Sequence, residues 1–528
     1  MKPSPEVEAA IQVTLQPSDL GAPTQQGRFR PQQEALFQAL ISSDKPILCV
    51  NAPPGVGKSL LGWTYAKILA ARGVIYTGTK GLQDQYERDW AASGVVDIRG
   101  MANYPCRALD PPARCDVGPC LDGESCLWKQ AGCTFFDRVR EAKAADLVTT
   151  NYAFHFSHPP GPEGYILGDR SLHIYDEAHD LPSQICKAVG AEFDSREVEI
   201  DAAMKDWQAE QWLGWAEVKR EDAKALLASD LTPAQRKEVR DLYLRFCRVV
   251  HGLESAPTDW AWDWIEGRRS IQVNFEPISA APYFKSYCLG QAERALLMSG
   301  TILPSVREEL GLAPEEFEYF ETESPFPLKR RPIQFIQCGV RVTNKSSEGQ
   351  LREWVKAIDR YIGAGREERQ GLIHAVSYKR AKFIQRHSKY VGLMILPESS
   401  DTAWEFRKFC QRRGPGIFLS PAAHTGYSFD DDAARWQIIA KVPFPDTTYG
   451  IAKARAERIQ HYIQKHAART MMQMAGRIVR SVSDWGETAV IDDTIEWVFS
   501  RYRPYFSSWF RRAVKTYAET PRAMEVPE

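Results

Sequence analysis

One stretch constrains the fold more than any other. From Pro46 to Gly73 the chain reads PILCVNAPPGVGKSLLGWTYAKILAARG, an apolar β-run, a Gly/Pro turn and an amphipathic helical pattern in succession. Such a unit belongs in a parallel sheet with helices packed on its faces. The turn holds Gly55-Val56-Gly57-Lys58-Ser59 behind Ala52-Pro53-Pro54. It keeps the end of the phosphate-loop pattern G-x-x-x-x-G-K-[ST], with Ala52 in the first glycine position. Backbone N–H groups of the turn and the helix N-terminus would face a β-phosphate, Lys58 would reach the β/γ-phosphates, and the Ser59 hydroxyl would ligate Mg²⁺. Pro54, Gly55, Val56, Gly57, Lys58 and Ser59 are therefore the candidate nucleotide contacts. The bland alternative is an ordinary Gly-rich strand–helix turn; strand, loop, Lys-Ser and helix occurring together argue against it.

With 528 residues the chain exceeds one ordinary domain, and 44% hydrophobic with 26% charged residues is the balance of a globular protein. No apolar run approaches the roughly 20 residues that cross a bilayer, and the first residues lack the apolar core of a secretory leader. A soluble, cytoplasmic, multidomain protein in a bacterial, phage-infected or plasmid-bearing cell is expected, with no membrane partner. The net charge of −1 leaves room for a nucleic-acid surface only as a local patch.

Further apolar runs at Val74–Thr79, Leu147–Phe154 and Ser171–His179 alternate with helical text, which predicts an α/β fold with a parallel sheet. The third run ends His173-Ile174-Tyr175-Asp176-Glu177-Ala178-His179. An acidic pair at a strand end, well after a phosphate loop, suits nucleotide hydrolysis: Asp176 holds Mg²⁺ through water and Glu177 orients the attacking water. Between Arg99 and Ala145 a Cys/Gly/Pro stretch interrupts the pattern. From about Glu192 to Arg269 the text turns charged and helix-forming, with six of the fifteen tryptophans: Trp207, Trp212, Trp215, Trp260, Trp262 and Trp264. A helical insertion is expected there, its tryptophans either packing the helices or stacking on bases. At Glu293–Ile302 an apolar strand returns, and a second series of strand-like runs follows to the C-terminus.

The ordered motifs resemble those of superfamily 2 helicases. Arg30-Pro31-Gln32-Gln33 resembles the glutamine motif that contacts adenine, and Thr77–Tyr86 (TGTKGLQDQY) resembles motif Ia, which follows the nucleic-acid backbone. Ser299-Gly300-Thr301 resembles motif III and Gly371–Tyr378 motif IV. Gln473-Met474-Ala475-Gly476-Arg477-Ile478-Val479-Arg480 resembles motif VI, which implies that Arg477 and Arg480 are arginine fingers delivered across the cleft from the second domain, with Gln473 beside them. Within the superfamily the chain resembles the DinG/XPD iron–sulfur group from Arg30 to about Asp493. The Cys-rich insertion lies where that group carries its cluster domain, and RGMANYPC, GCTFFDRVREAKAADLVTTNYAF and PISAAPYFKSYCLGQAERALLMSGTI resemble DinG phrases.

The resemblance implies two RecA-like α/β domains with two insertions in the first. Residues 1–99, 147–191 and 281–320 would form domain 1, 100–146 the Fe–S domain, 192–280 a helical arch, and 321–528 domain 2. A [4Fe–4S] cluster takes four thiolates, and Cys106, Cys115, Cys120, Cys126 and Cys133 are available. The family spacing favours Cys106, Cys120, Cys126 and Cys133; Cys115 in place of Cys120 or Cys126 stays open, as does a tetrahedral zinc site. Motif V is identified in His424–Pro445 with Gly426, Asp432 and Arg435 in register, Gly426 and Asp432 being assigned to nucleotide; Ser428 stands where an acid is usual and Asp431 where glycine is usual. Lys453–Arg480 carries seven Lys/Arg and one acid, enough for a positive wall along DNA. The implied activity is an ATP- and Mg²⁺-dependent DNA helicase, monomeric, moving 5′→3′ on single-stranded DNA and opening forked, R-loop or D-loop structures. A helicase subunit recruited by an RNA-guided effector complex is the alternative.

Overall fold

The structure, a computed structural model, describes residues 16–23, 27–109, 113–121, 126–130, 132–159, 165–290, 292–398, 402–421, 429, 431–481 and 483–525. In chain order the strands are β1 (Ile47–Asn51), β2 (Gly73–Thr77), β3 (Val95–Asp97), β4 (Pro105–Cys106), β5 (Ala113–Arg114), β6 (Leu147–Asn151), β7 (Leu172–Asp176), β8 (Ala191–Asp194), β9 (Trp260–Glu266), β10 (Ile271–Pro277), β11 (Arg294–Ser299) and β12 (Phe317–Glu321). They continue as β13 (Ile333–Ile336), β14 (Gln370–His374), β15 (Met394–Ile395), β16 (Gly416–Ser420), β17 (Trp436–Ile439), β18 (Glu487–Val490) and β19 (Val514–Tyr517). Two seven-stranded sheets, ordered β12-β1-β11-β7-β2-β6-β3 and β15-β16-β14-β17-β18-β13-β19, form the centres of two α/β domains, as expected. All their pairings are parallel. β1, β2, β7 and β11 are buried along their whole length, which is why they read as unbroken apolar runs.

The first sheet's order is what builds a site. β1, β11, β7 and β2 are neighbours although they lie far apart in sequence, so the four segments that follow them emerge side by side at one sheet edge. The register makes this concrete: Asn51 is opposite Ser299, Met298 opposite Asp176, and Tyr175 opposite Tyr76. In open parallel sheets the carboxyl ends of the strands are where ligands bind.

The Trp-rich insertion differs from the helical expectation. Its two helices, Ala209–Leu227 and Pro233–Ser255, pack on an antiparallel sheet ordered β8-β10-β9. Trp260, Trp262 and Trp264 recur at every second residue of β9, the period of a strand. Trp212 and Trp260 are buried and the other four tryptophans of the group pack against the same core. Trp212 lies edge-on to Trp207, Trp215 and Phe275. The group is thus the core of the insertion rather than a base-stacking face.

The expected positive wall over Lys453–Arg480 also differs. Helix Gly450–Arg458 docks on the insertion: Arg455 pairs with Glu276 at 2.7 Å, Arg458 with Asp259 at 2.8 Å, and the Ile451 N–H donates to Asp263 Oδ1 at 2.8 Å. Arg469 pairs with Glu309 of domain 1 and Lys453 with Glu457. Acids contributed mainly by domain 1 and its insertion neutralise much of the stretch, which clasps domain 2 to domain 1.

Domain 2 is closed by its own C-terminal segment. Arg366 and Glu487, both fully buried, form a bidentate pair at 2.9 Å through Nε and Nη2. Arg366 also donates to the carbonyls of Tyr361, Pro521 and Arg522, while Glu487 accepts from Gln334 and from the Met524 N–H. Removing one partner strands the other charge in the core. Glu487→Ala is expected to destabilise domain 2 by about 3–5 kcal/mol, read as a lower midpoint in denaturant unfolding. No helix among the described residues is long and apolar enough to cross a membrane.

Candidate active site

The loop after β1 takes its shape from two glycines. Gly55 and Gly57 sit at φ +80° and +85°, the left-handed region that L side chains avoid. A Cβ on Gly55 would overlap the Phe326 ring, and one on Gly57 would meet the Gln33 amide. Helix Lys58–Ile68 starts at once, so its free N–H groups and the loop amides face one space. Gln33 Nε2 donates to Val56 O at 2.6 Å while its Oε1 accepts the Arg30 N–H at 2.7 Å, and the Arg30 guanidinium donates to Gly55 O. Arg30 and Gln33, assigned from the resemblance to adenine, here grip the backbone of the phosphate loop. Pro54 lies between Gly300 and Gly476: their Cβ positions would be 3.4 Å from its Cδ and 3.2 Å from its Cγ.

Lys58 and Glu177 converge, Nζ to Oε1 being 3.9 Å. Glu177 is itself at φ +55°, a strained turn for a side chain at the end of β7. Burial alone would raise the Glu177 carboxyl, but Lys58, His179 and Arg477 around it hold it well below the usual carboxylate range. It is thus ionised, as a group that orients water must be. Asp176 is buried, and that burial raises its carboxyl against the opposing pull of Lys58. Its Oδ1 accepts the Glu177 N–H at 2.9 Å, its Oδ2 accepts from the Tyr86 hydroxyl at 3.0 Å, and its backbone carbonyl accepts from Tyr152 at 2.7 Å.

Behind this pair, His179 links three segments. Its Nδ1 lies 2.7 Å from Ser299 Oγ and 3.3 Å from Glu177 Oε2, and its Nε2 accepts from the Gln473 side-chain amide of domain 2. Ser299 Oγ also donates to Glu177 at 3.3 Å. Arg477, one turn beyond Gln473, lies close enough for its charge to act on Glu177. Burial, with Arg480 beside it, lowers the Arg477 guanidinium to about 10, so it stays charged at neutral pH. Arg480 is more exposed, its guanidinium on Gly476 O and its N–H on Asp484. The structure therefore brings together Lys58, Asp176, Glu177, Gln473 and Arg477 across one interdomain cleft.

Of the motif V assignments, Gly426 and Ser428 lie outside the described residues. Asp431 is at φ +50°, the conformation that explains why glycine suits its position. Asp432 is on the surface, paired with Arg435 at 2.8 Å. Several further cleft residues are not apparent from the sequence. Asn51 donates to Ser507 of domain 2 at 2.6 Å, and Trp509 Nε1 donates to Gly300 O at 3.0 Å. Tyr86, Phe326, Ser507 and Trp509 carry no local signal, because each acts through a partner far away in sequence.

In the 100–146 insertion, Cys106, Cys115 and Cys133 are buried and Cys120 and Cys126 half-exposed. Gly118 separates two of them: its Cβ would lie 3.2 Å from Cys106 Sγ and 3.8 Å from Cys120 Sγ. Cys115 donates to Pro105 O at 3.2 Å, and burial, then Cys133, Cys106 and Cys120, push its thiol up to about 12. Burial and then Cys126, Cys133 and Cys106 raise the Cys120 thiol. Cys106, Cys115, Cys120 and Cys133 thus lie near one another, with Cys126 near Cys120. Among the described residues no three His, Cys, Asp or Glu side chains are set around one metal ion.

Residues 367–513 match the family model of the helicase C-terminal domain. A probable ATP-dependent helicase of Methanocaldococcus jannaschii is 24% identical over 303 residues, 52% of this chain and 46% of that protein. The ATP-dependent DNA helicase YoaA of Haemophilus influenzae is 25% identical over 230 residues, 32% of this chain and 36% of its own. Each alignment thus spans less than half of the relative. Among solved structures, an XPD helicase is similar at a TM-score of 0.63 and 13% identity, over 93% of this chain and 100% of that one. S. tokodaii Xpd4 gives a TM-score of 0.56 and 14% identity over the same shares. The chain thus carries a helicase C-terminal domain over residues 367–513, shares the fold of the XPD helicase structures, and is similar over part of its length to ATP-dependent helicases.

Proposed function

We propose that the chain is an ATP-dependent DNA helicase that moves 5′→3′ on single-stranded DNA in the cytoplasm and opens forked, R-loop or D-loop structures. The observation that carries this reading is the cleft itself. Lys58, Asp176 and Glu177 of domain 1 face Gln473 and Arg477 of domain 2, with Ser299 and His179 between them. The loop amides and Lys58 hold the β/γ-phosphates of ATP. Ser59 and Asp176 are oxygen donors that fit Mg²⁺, which with phosphates and waters needs only one or two protein ligands and which, when bound, neutralises phosphate charge. Glu177 orients the attacking water, and Arg477 neutralises the charge of the phosphoryl group in flight. Because His179 touches both Glu177 and Gln473, loss of the γ-phosphate loosens the cleft, and repeated closing and opening moves DNA. Hydrolysis is expected to rise severalfold on adding single-stranded DNA; a rate indifferent to DNA would contradict the reading.

We infer further that Cys106, Cys120, Cys126 and Cys133 would hold a [4Fe–4S] cluster, which takes four thiolates; the closeness of the cysteines in the insertion supports this reading. When bound, the cluster would tie together the segments that carry these cysteines. Cys133→Ser is expected to remove the brown colour and about four irons per chain, as a cubane site requires, while the ATP cleft is spared. Cys115→Ser is expected to keep both. A colourless wild type with one zinc would overturn the iron assignment and leave the helicase reading standing.

A further inference from the structure

Tyr86 is buried beside the acidic end of β7 and has no part in the mechanism above. It lies on helix Lys80–Trp90, whose start resembles motif Ia, yet its hydroxyl leaves that surface and reaches the strand ends. There it donates to Asp176 Oδ2 at 3.0 Å, with the Ser59 side chain close beside it. A phenol that donates to a carboxylate keeps lone pairs to accept with, so the same hydroxyl is able to take a hydrogen bond from the Ser59 hydroxyl. Asp176 Oδ1 is already fixed by the Glu177 N–H. Each carboxylate oxygen then has one lone-pair direction occupied and another left for a metal-bound water.

The helix that carries Tyr86 is held in register. Thr79 caps it by accepting the Leu82 N–H, and Gln83, buried, donates to Asp97 Oδ1 at 2.7 Å and accepts from Asn151 at 2.8 Å. Trp90 stacks on Trp63 of the phosphate-loop helix, the ring centroids 5.0 Å apart. The Tyr86 hydroxyl is therefore a fixed point relative to Ser59 and Asp176.

We propose that Tyr86 is a positioning residue that presents Ser59 and Asp176 together to the divalent ion of the nucleotide complex. The proposal rests on the reading of these two residues as the Mg²⁺ side of the cleft. It also makes one helix the mechanical link between a DNA-facing motif and the metal site.

The test is Tyr86→Phe, which keeps the buried ring and deletes only the hydroxyl. The readout is Mn²⁺ affinity in the presence of AMP-PNP, followed by the electron paramagnetic resonance signal of free Mn²⁺. The Mn²⁺ Kd is expected to rise about 10-fold, the usual cost of losing a hydrogen bond that orients a metal ligand. ATP turnover in the variant is expected to recover as Mg²⁺ is raised. A Kd within twofold of wild type in a protein of unchanged melting temperature overturns the proposal. Asp176→Asn separates the two levels. If wild type holds Mn²⁺·AMP-PNP no more tightly than Asp176→Asn, the metal reading itself falls and the Tyr86 proposal falls with it. If only Tyr86→Phe matches wild type, the metal reading stands and Tyr86 is merely core.

Discussion

In the Lys58→Ala protein, ATP turnover is expected to fall by about 10³-fold or more, with no change in fold. The lysine ammonium is the one cation that the phosphate loop itself contributes, and it lies 3.9 Å from Glu177 on the axis between loop and acidic pair. Alanine leaves the loop amides in place but removes the charge that the proposed function assigns to the β/γ-phosphates. The loop's conformation depends on Gly55, Gly57 and the Arg30 and Gln33 contacts, none of which involves Lys58. Circular dichroism and the melting temperature should therefore match wild type while hydrolysis is lost. Turnover that survives the change would place the phosphates elsewhere.

Arg477→Ala should act differently, lowering kcat by about 10³-fold while ATP affinity changes little. Arg477 comes from domain 2, and its charge acts on Glu177 across the cleft. Its guanidinium, lowered to about 10 by burial, is still protonated at neutral pH, so the charge is available when the γ-phosphoryl group departs. An interaction made mainly in the transition state appears in kcat and not in binding. Equal losses in kcat and in ATP affinity would make Arg477 a ground-state phosphate contact instead.

Much of this site is legible in the amino-acid sequence, because the strands that carry it are continuous apolar runs with chemistry at their ends. The PILCV, LHIYD and ALLMS runs are strands β1, β7 and β11, and the loop and acidic pair fall where those strands end. Short edge strands are harder to see. β12 (FEYFE) alternates with acids, and β19 follows a short helix with only four residues of its own. The tryptophans at 260, 262 and 264 carry a visible signal, a period of two, that their helix-forming surroundings mask. The five cysteines stand out as a cluster in the sequence, and the fold keeps them in one neighbourhood.

Pairing between distant segments is not legible in the same way. The charges of Lys453–Arg480 look free in sequence because Glu276, Asp259 and Glu309, which neutralise three of them, lie far upstream. Tyr86 falls in a segment that resembles a DNA-facing motif, and only the sheet order, with β2 beside β7, shows that it reaches Asp176. Likewise Asn51–Ser507 and Trp509–Gly300 exist because two domains meet, a fact that no local pattern encodes.

The central claim is that nucleotide hydrolysis in this cleft drives strand separation, and displacement of a labelled strand from tailed duplexes tests it most directly. With ATP and Mg²⁺, the wild-type protein is expected to displace the strand from a duplex with a 5′ single-stranded tail, to fail on a 3′-tailed one, and to lose all displacement in Lys58→Ala. DNA-stimulated hydrolysis without displacement on either tail, or displacement that survives Lys58→Ala, would contradict the account.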